Sequence, residues 1–214
     1  VVINSDVAHL RQTLRPRRRA PQLAGPPSTS AWNAILRARP RAAPRAAHTV
    51  LFPSAYEQEF VDLFYHRRPP REPTVYLCAQ SVAHGRAGWD DAEPVFVMVN
   101  APPEPERGAT PGRTWARVQE TVEARLRGAG LMGDGDRFAW RRTPADLAAR
   151  FPGSRGALYG AASNSPLAAF RRPANRLRGV PGLYLASGTA HPGGGRPLCV
   201  LSGRAAADAV LADL

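Results

Sequence analysis

The stretch GLYLASGTAHPGGGRPLCVLSGRAAADAVL, residues 182–211, decides the fold class that this sequence predicts. It opens with a short apolar segment, 183–186, continues into a loop dense in glycine, and closes with an alanine-rich segment. Glycine lets a backbone approach a neighbour closely and adopt positive φ angles. We therefore predict a buried strand, a glycine loop, and a helix that starts at Ser202 or Gly203.

A helix that starts at Ser202 or Gly203 would indicate ligand binding. Its first turn would present free N–H groups and about half a positive charge, an arrangement that favours phosphate or developing negative charge. The loop is neither a Walker loop, since no Gly-Lys-Ser/Thr follows, nor a GxGxxG fingerprint, since the third glycine is missing. A plain strand-to-helix turn that binds nothing remains the structural alternative.

The basic composition raises the question of a nucleic-acid partner. The chain of 214 residues has 29 basic and 17 acidic side chains, a net charge of +12, and every basic residue is arginine. The arginines are scattered, and no aromatic residues alternate with them on a strand as an RNA-binding sheet requires. We predict no nucleic-acid partner. The denser runs, within 15–19 and 37–45, sit among prolines and favour solvated loops or attraction to anionic lipid headgroups.

Several further function classes are disfavoured by the sequence. The chain has no apolar run near the roughly 20 residues of a membrane-spanning helix and does not start with a signal peptide. Cys78 and Cys199 lie far apart, which favours a reduced, cytoplasmic protein. No metal site is predicted, because no ligand spacing links the histidines His9, His48, His66, His84 and His191.

Hydrophobic periodicity predicts the strands and helices in the middle of the chain. Alternation predicts strands at 48–52, 74–80 and 94–100, the last two pairing antiparallel, and residues 29–36 favour a strand or short helix. Residues 114–127 predict a helix with one apolar stripe, and Thr143 to Asp146 carry the signals of a capped helix start. The apolar stripe consists of Trp115, Val118, Val122 and Leu126.

Residues 56–64 predict a helix with Phe60, Leu63 and Phe64 on one face. The polar side of this helix is expected to be solvated rather than catalytic. Its acidic residues are Glu57, Glu59 and Asp62.

Five segments, in chain order, resemble a known family. They are VVINSD (1–6), HTVLFPSAYEQEFVDLF (48–64), PREPTVYLCAQS (70–81), RGALYGAASNSPLAAFRRPANR (155–176) and GTAHPGGGRP (188–197), the last followed by Ser202-Gly203-Arg204. The chain resembles the carotenoid desaturases of the bacterial phytoene-desaturase type, FAD-dependent members of the amine-oxidase-like flavoproteins. The Cys-Ala-Gln and Ala-Phe-Arg-Arg-Pro variants resemble the branch that desaturates acyclic hydroxy- or methoxycarotenoids at C-3,4.

The resemblance implies an α/β fold, α+β overall. The expected architecture is the C-terminal part of a Rossmann-like FAD-binding domain, interrupted by a substrate domain with a mixed β-sheet and packed helices. Residues 1–24 and 177–214 are assigned to the FAD-binding domain and 25–176 to the substrate domain. No match to the family's dinucleotide fingerprint is present, so we expect a C-terminal part that needs the N-terminal half of the same enzyme for activity.

The resemblance also implies the chemistry, in which FAD takes a hydride from an allylic carbon of a long apolar polyene and the neighbouring carbon loses a proton. Phytoene, neurosporene and their 1-hydroxy or methoxy derivatives are the implied substrates. No catalytic residue is identified. The implied cofactor-binding residues are Gly188, His191, Gly193, Gly194, Gly195, Pro197, Ser202 and Gly203. Ala190 and Arg196 depart from the family's loop pattern.

A substrate dissolved in the bilayer implies peripheral association with a membrane surface. Two alternatives remain open. One is a related flavin oxidoreductase or carotene isomerase with the same frame, and the other is a basic interaction module without catalysis.

Overall fold

The computed structural model describes residues 1–15, 21, 23, 25–39, 45–85, 91–164 and 167–214. The basic run 17–19 and most of the second basic loop lie outside the described residues. The described residues form two compact units. The terminal unit comprises Val1–Thr29 and Leu147–Leu214, and the sheet unit comprises Ser30–Asp146. The functional division at residues 24 and 176 stays a prediction.

The helices and strands alternate irregularly along the chain. In chain order they are β1 (Val2–Ile3), α1 (Val7–Thr13), β2 (Ser30–Ala38), β3 (His48–Leu51), α2 (Tyr56–Phe60, continued by a π-helical turn Val61–Tyr65), β4 (Val75–Ala79), α3 (Gln80–His84), β5 (Glu93–Ala101), α4 (Gly112–Gly128), β6 (Arg137–Arg142), α5 (Pro144–Arg150), a 3₁₀ turn (Ala169–Arg171), β7 (Tyr184–Leu185) and α6 (Arg196–Leu211).

The sheet unit is built on a five-stranded sheet in the order β3-β4-β5-β2-β6. Strands β4 and β5 pair antiparallel, with Val75 opposite Val99 and Leu77 opposite Val97, which confirms the predicted pairing. Every other pairing described in this sheet is also antiparallel. The mixed sheet expected for the substrate domain is therefore wrong for the strands described. Each strand of this sheet thus runs opposite to its neighbours.

Helix α4 supplies the other half of the sheet unit's core. Its residues Trp115, Val118, Val122 and Leu126 are all buried in one cluster with side chains of β2, β4 and β5, as the apolar stripe predicted. Trp32 of β2 is fully buried in the same cluster. Burying a side chain of this size contributes about 1.5–3 kcal/mol, so the amphipathic pattern is sufficient to fix the helix against the sheet.

Helix α2 is rotated relative to the prediction. Leu63 is buried as expected, but Phe60 and Phe64 are exposed, at 39% and 43% of their surface. The carboxylates of Glu59 and Asp62 are instead buried, with exposures of 2% and 1%. The expected solvated face is wrong for these two residues, because each carboxylate finds hydrogen-bond donors inside the unit that replace water.

The terminal unit is organised by a two-stranded parallel sheet, in which Val2 pairs with Tyr184 and Ile3 with Leu185. Helix α1 packs on it through Val7 and Leu10, which share a buried cluster with Leu185. The fold is mixed α/β, as predicted. Among the described residues, no helix combines the length and apolar character needed to cross a bilayer.

Two helix starts bear on the prediction from sequence. At α5 the capping residues behave as predicted, since the Thr143 N–H donates to Asp146 Oδ2 at 2.7 Å and the Asp146 N–H donates back to Thr143 Oγ1 at 3.3 Å. At α6 the predicted start at Ser202 or Gly203 is wrong. The helix begins at Arg196, directly after Gly195, whose φ of 97° is an angle that glycine tolerates.

Candidate functional site

A pocket of about 330 Å³ opens in the terminal unit at the carboxyl ends of β1 and β7. Ligands of open α/β sheets bind in this position, outside the ends of parallel strands, and the volume lies at the lower end of the roughly 300–1,000 Å³ typical of ligand sites. The chain leaving β1 lines the pocket with Asn4, Ser5 and Asp6. The chain leaving β7 lines it with Ser187, Gly188 and Thr189, and the apolar wall is formed by Leu147, Phe151, Ala157 and Leu158.

Asp6 is the carboxylate of this pocket. It also caps α1, because its Oδ1 accepts the Ala8 N–H at 2.6 Å. Burial raises the pKa of Asp6, although the hydrogen bonds from the backbone of Ala8 and His9 oppose the shift. Asp6 therefore holds a proton more readily than a solvated aspartate, and it is one of the residues that line the pocket.

A buried hydrogen-bond network ties the glycine loop to the elements on either side of it. Asn175 is buried, and its Nδ2 donates to Leu185 O at 2.8 Å, His191 O at 3.0 Å and Ser202 Oγ at 2.9 Å. The Ser187 N–H also donates to Ser202 Oγ, at 3.1 Å. One amide and one hydroxyl thus connect β7, the loop and α6.

Thr189 extends the network to the start of helix α1. The Thr189 Oγ1 accepts the Val7 N–H at 2.9 Å and lies 3.1 Å from Ser187 Oγ. These groups are buried, so their mutual hydrogen bonds avoid the penalty of unsatisfied polar atoms. The loop is consequently fastened to the start of α1 as well as to α6.

Two loop glycines are required by close packing. A Cβ on Gly194 would lie 2.3 Å from Tyr159 Cδ1, and one on Gly188 would lie 3.0 Å from Cys199 Sγ. Any side chain at these positions would displace the neighbour. Gly188 and Gly194 therefore let the loop lie against Tyr159 and α6.

Arg172 holds the outer side of the same loop. Its guanidinium donates to Tyr159 O at 2.9 Å and Ser163 Oγ at 3.0 Å, with a longer contact of 3.4 Å to Gly188 O. A Cβ on Gly193 would lie 3.3 Å from Arg172 Nε. Burial lowers the pKa of Arg172 from its usual value, yet a guanidinium remains charged in proteins. A cation is therefore fixed beside the loop.

The start of α6 is open. Gly195 has no side chain to cap the helix, and a Cβ placed on it would meet no atom within 4 Å. Arg196 and Pro197 begin the first turn, a position that proline favours. Free N–H groups and the positive end of a helix with accessible space beside them fit an anionic group such as a phosphate or the electron-rich edge of a reduced flavin.

The structure brings part of the predicted cofactor-binding set together. Gly188 lines the pocket, and Gly193, Gly194 and Gly195 form the loop that leads into α6. His191 is exposed, and its backbone N–H donates to Pro173 O at 2.8 Å.

The three remaining predicted residues all belong to helix α6. Pro197 lies in its first turn, at the open end. Ser202 is buried in the middle of the helix within the Asn175 network, and Gly203 follows it. Neither is at a helix N-terminus, so the helix start predicted there is wrong, and the first turn with its free N–H groups begins at Arg196. The assignment of Ser202 and Gly203 to the cofactor stays a prediction.

Reasoning from sequence did not single out Asn175, Arg172, Asp6 or Cys199. Asn175 and Arg172 fall in the segment RRPANR, which carries the family resemblance but no recognisable chemical spacing. Pro197 was the available signal for the true start of α6, because proline is common in a first helical turn and rare later.

Comparison with known proteins shows what the chain is similar to. No family model matches the chain. Hydroxyneurosporene desaturase of Rubrivivax gelatinosus is 38% identical over an alignment of 219 residues. The alignment covers all of this chain and 42% of that protein. The 1-hydroxycarotenoid 3,4-desaturase of a Flavobacterium species is 32% identical over 76% of this chain and 33% of that protein.

The chain is homologous to the carotenoid desaturases. A more distant relative, the carotenoid 3,4-desaturase of Haloarcula japonica, is 28% identical over the whole of this chain. The predicted resemblance is thereby confirmed, and the names agree with the predicted 3,4-desaturase branch. The chain spans about two-fifths of the length of the curated relatives it matches over its full extent.

Proposed function

We propose that the full-length protein is an FAD-dependent desaturase of acyclic carotenoids, acting on phytoene, neurosporene or their 1-hydroxy or methoxy derivatives. The observation that carries the proposal is the similarity, over 100% and 88% of the chain, to two proteins named hydroxyneurosporene desaturase. Residues outside this chain are needed to complete the enzyme, because these relatives are more than twice as long.

The geometry of the terminal unit supports FAD as the cofactor. The open start of α6 at Gly195 and Arg196 would face an anionic part of the flavin nucleotide, and Gly188 would border the ring system from the pocket. Bound FAD would supply the hydride acceptor that the desaturation requires. This assignment includes the predicted set Gly188, Gly193, Gly194, Gly195 and Pro197.

The chain's own groups would position the reactants. Leu147, Phe151 and Leu158 give the pocket an apolar wall that suits a hydrocarbon and excludes water. Burial keeps the Asp6 carboxyl at a raised pKa in the same pocket. A polyene carries no charge, so its binding requires shape and apolar surface rather than an ionic clamp.

The test is expression of the full-length reading frame in cells that accumulate acyclic carotenoids, followed by chromatography of the pigments. Each desaturation lengthens the conjugated system, so a red-shifted product that has lost two hydrogens by mass spectrometry is expected, and the purified protein should carry flavin. Unchanged pigments across several acyclic precursors and no retained flavin would refute the proposal.

One relative favours a second candidate. The 4,4'-diapolycopene oxygenase of Methylomonas is 29% identical over 80% of this chain. A carotenoid oxidation that adds oxygen is therefore the alternative reaction. The same mass measurement separates the two, because an oxygenase product gains mass whereas a desaturase product loses it.

We further propose that the full-length protein associates peripherally with a membrane, because a long polyene dissolves in a bilayer and not in water.

A further inference from the structure

A band of large apolar side chains is exposed on the sheet unit, from the residue after β3 to the end of helix α2. We call this set the aromatic stripe. It consists of Phe52, Tyr56, Phe60, Val61, Phe64 and Tyr65, whose exposed fractions run from 39% to 82%. Exposed apolar residues are ordinary when scattered, but a continuous group of this size marks an interaction surface.

The rings of the stripe form a continuous ladder. Phe52 meets Tyr56 edge-to-face with ring centroids 5.4 Å apart, and Tyr56 meets Phe60 at 5.0 Å. Phe60 stacks on Phe64 at 6.3 Å with the planes nearly parallel. These four rings therefore present one connected apolar surface, and Tyr65, whose ring meets that of His66 at 5.1 Å, follows them in the chain.

The outward orientation of these rings is fixed by polar anchors on the opposite side of α2. Glu59 accepts hydrogen bonds from the Thr74 N–H and from Asn100 Nδ2, both at 3.0 Å. Asp62 accepts from Arg68 Nη2 at 2.8 Å. Turning the rings inward would break these buried bonds and expose both carboxylates. The hydrogen bonds of Glu59 and Asp62 thus hold the rings of the stripe on the outer side of the sheet unit.

Cations lie immediately beyond the stripe. Arg67 and Arg71 are exposed in the segment that follows α2. Two exposed acidic residues lie nearby. Glu57 is on α2, and Glu72 forms a salt bridge with Arg125 Nη1 at 2.6 Å. An aromatic band bordered by cations matches the layered chemistry of an anionic bilayer, whose headgroups attract arginine while rings occupy the interfacial zone.

A second copy of the chain fits this surface less well. In a two-fold contact the same patch meets itself, so pairing two stripes would bring Arg67 and Arg71 of both copies into one interface. A bilayer carries the complementary charge instead. We propose that the aromatic stripe, together with Arg67 and Arg71, is a lipid-docking surface that seats the protein on an anionic membrane.

The proposal rests on the proposed function for its biological reason, since a desaturase of bilayer-dissolved polyenes needs access to lipid. It adds the surface and the lipid charge that the function does not specify. Burial of several rings supplies affinity for any bilayer, and the arginines supply preference for anionic lipid that weakens with salt.

The experiment is co-sedimentation of the purified full-length protein with vesicles of phosphatidylcholine, alone or mixed with phosphatidylglycerol. The double variant Phe60→Ser/Phe64→Ser should lower binding to both vesicle types by about tenfold or more. Arg67→Gln should lower binding to the anionic vesicles alone, by about fivefold. Phe170→Ser, which removes an 80%-exposed phenylalanine of the terminal unit, is the matched control and should bind as the unaltered protein does.

Other results would overturn the proposal. Equal vesicle binding by the double variant excludes the stripe, and a change of oligomeric state with vesicle binding retained assigns the stripe to a second copy. If the double variant does not fold, Tyr65→Ser tests the same surface at its most exposed ring, 82% accessible, and unchanged binding there rejects it. Vesicle binding is measured without carotenoid or flavin, so a failed desaturase assay leaves this result separate.

Discussion

Gly194 and Gly203 belong to the same motif-bearing stretch, yet alanine should have opposite effects at the two positions. A Cβ on Gly194 would lie 2.3 Å from Tyr159 Cδ1 and 3.2 Å from Tyr159 Cβ. Carbon atoms pack at about 3.5–4.0 Å, so the ring must shift by more than about 1 Å. Since Tyr159 Cβ is also close, ring rotation alone does not relieve the contact. Such overpacking costs about 1–3 kcal/mol.

Gly203 is the matched comparison. It lies inside α6, where a Cβ would meet no atom within 4 Å. Glycine inside a helix is about 0.5–1 kcal/mol less favourable than alanine. Gly203→Ala should therefore stabilise the protein, and the two alanine variants should differ by about 1.5–4 kcal/mol.

Thermal unfolding of the full-length protein, with bound flavin quantified in parallel, measures this difference. A lower midpoint and weaker flavin retention are expected for Gly194→Ala, and an unchanged or higher midpoint for Gly203→Ala. Tyr159→Ala serves as the second arm of a double-mutant cycle, because removing the ring should abolish most of the penalty at Gly194. Equal midpoints for the two alanine variants, or a penalty that persists without the Tyr159 ring, would refute the reasoning.

The remaining predictions concern buried polar groups. Ser202→Ala should destabilise the protein by about 1–3 kcal/mol, because the buried Ser187 N–H loses the Ser202 Oγ acceptor, and thermal unfolding checks this against Gly203→Ala. Asp6→Asn should raise the unfolding midpoint at neutral pH. Burial raises the pKa of Asp6, so its ionisation opposes folding as pH rises above the unfolded pKa of 3.8. The higher midpoint of the variant should therefore disappear below that pH. Asp62→Asn should lower the unfolding midpoint at neutral pH. Burial by itself raises the pKa of Asp62, but the hydrogen bonds from Arg68 outweigh burial and lower the pKa. The ionised carboxylate therefore stabilises the fold above pH 3.8, and this stabilisation is lost as pH falls through the folded pKa. A pH series of unfolding midpoints that gave both aspartate variants the same sign would contradict these assignments.

Local sequence pattern was enough to predict the elements whose burial follows a regular period. The stripe of α4 recurs at helical spacing from Trp115 to Leu126, and each of its members is buried. The alternation in β4 and β5 identified two strands and their antiparallel pairing. The Thr143 and Asp146 cap was also predictable, since its partners stand three residues apart.

Helix α2 shows why the rest could not be predicted. Its buried face is set by Glu59, whose donors are Thr74 and Asn100, 15 and 41 residues further along the chain. Without the donors Thr74 and Asn100, the carboxylate of Glu59 would be expected in solvent and the ring of Phe60 in the core. The donors come from long-range folding, which the helical period does not encode.

The residues of the glycine motif divide into two groups, according to whether their side chains form hydrogen bonds that hold the loop. Ser187 and Ser202 are bonded in the network around Asn175, and Thr189 joins it through Ser187, so these hydroxyls hold the loop, although Ser187 and Thr189 also border the pocket. A motif read as a list of ligand contacts would assign these hydroxyls to the cofactor.

The other group remains available for binding. Gly195 and the first turn of α6 have open space beside them, and Gly188 borders the pocket. Positioning an anion on backbone N–H groups requires a loop that does not move, because such donors act only within hydrogen-bond distance. The buried hydroxyls and Asn175 supply that rigidity. The loop can therefore be glycine-rich and still have a defined position, and substitutions in the buried group should weaken binding of the proposed flavin by loosening the loop.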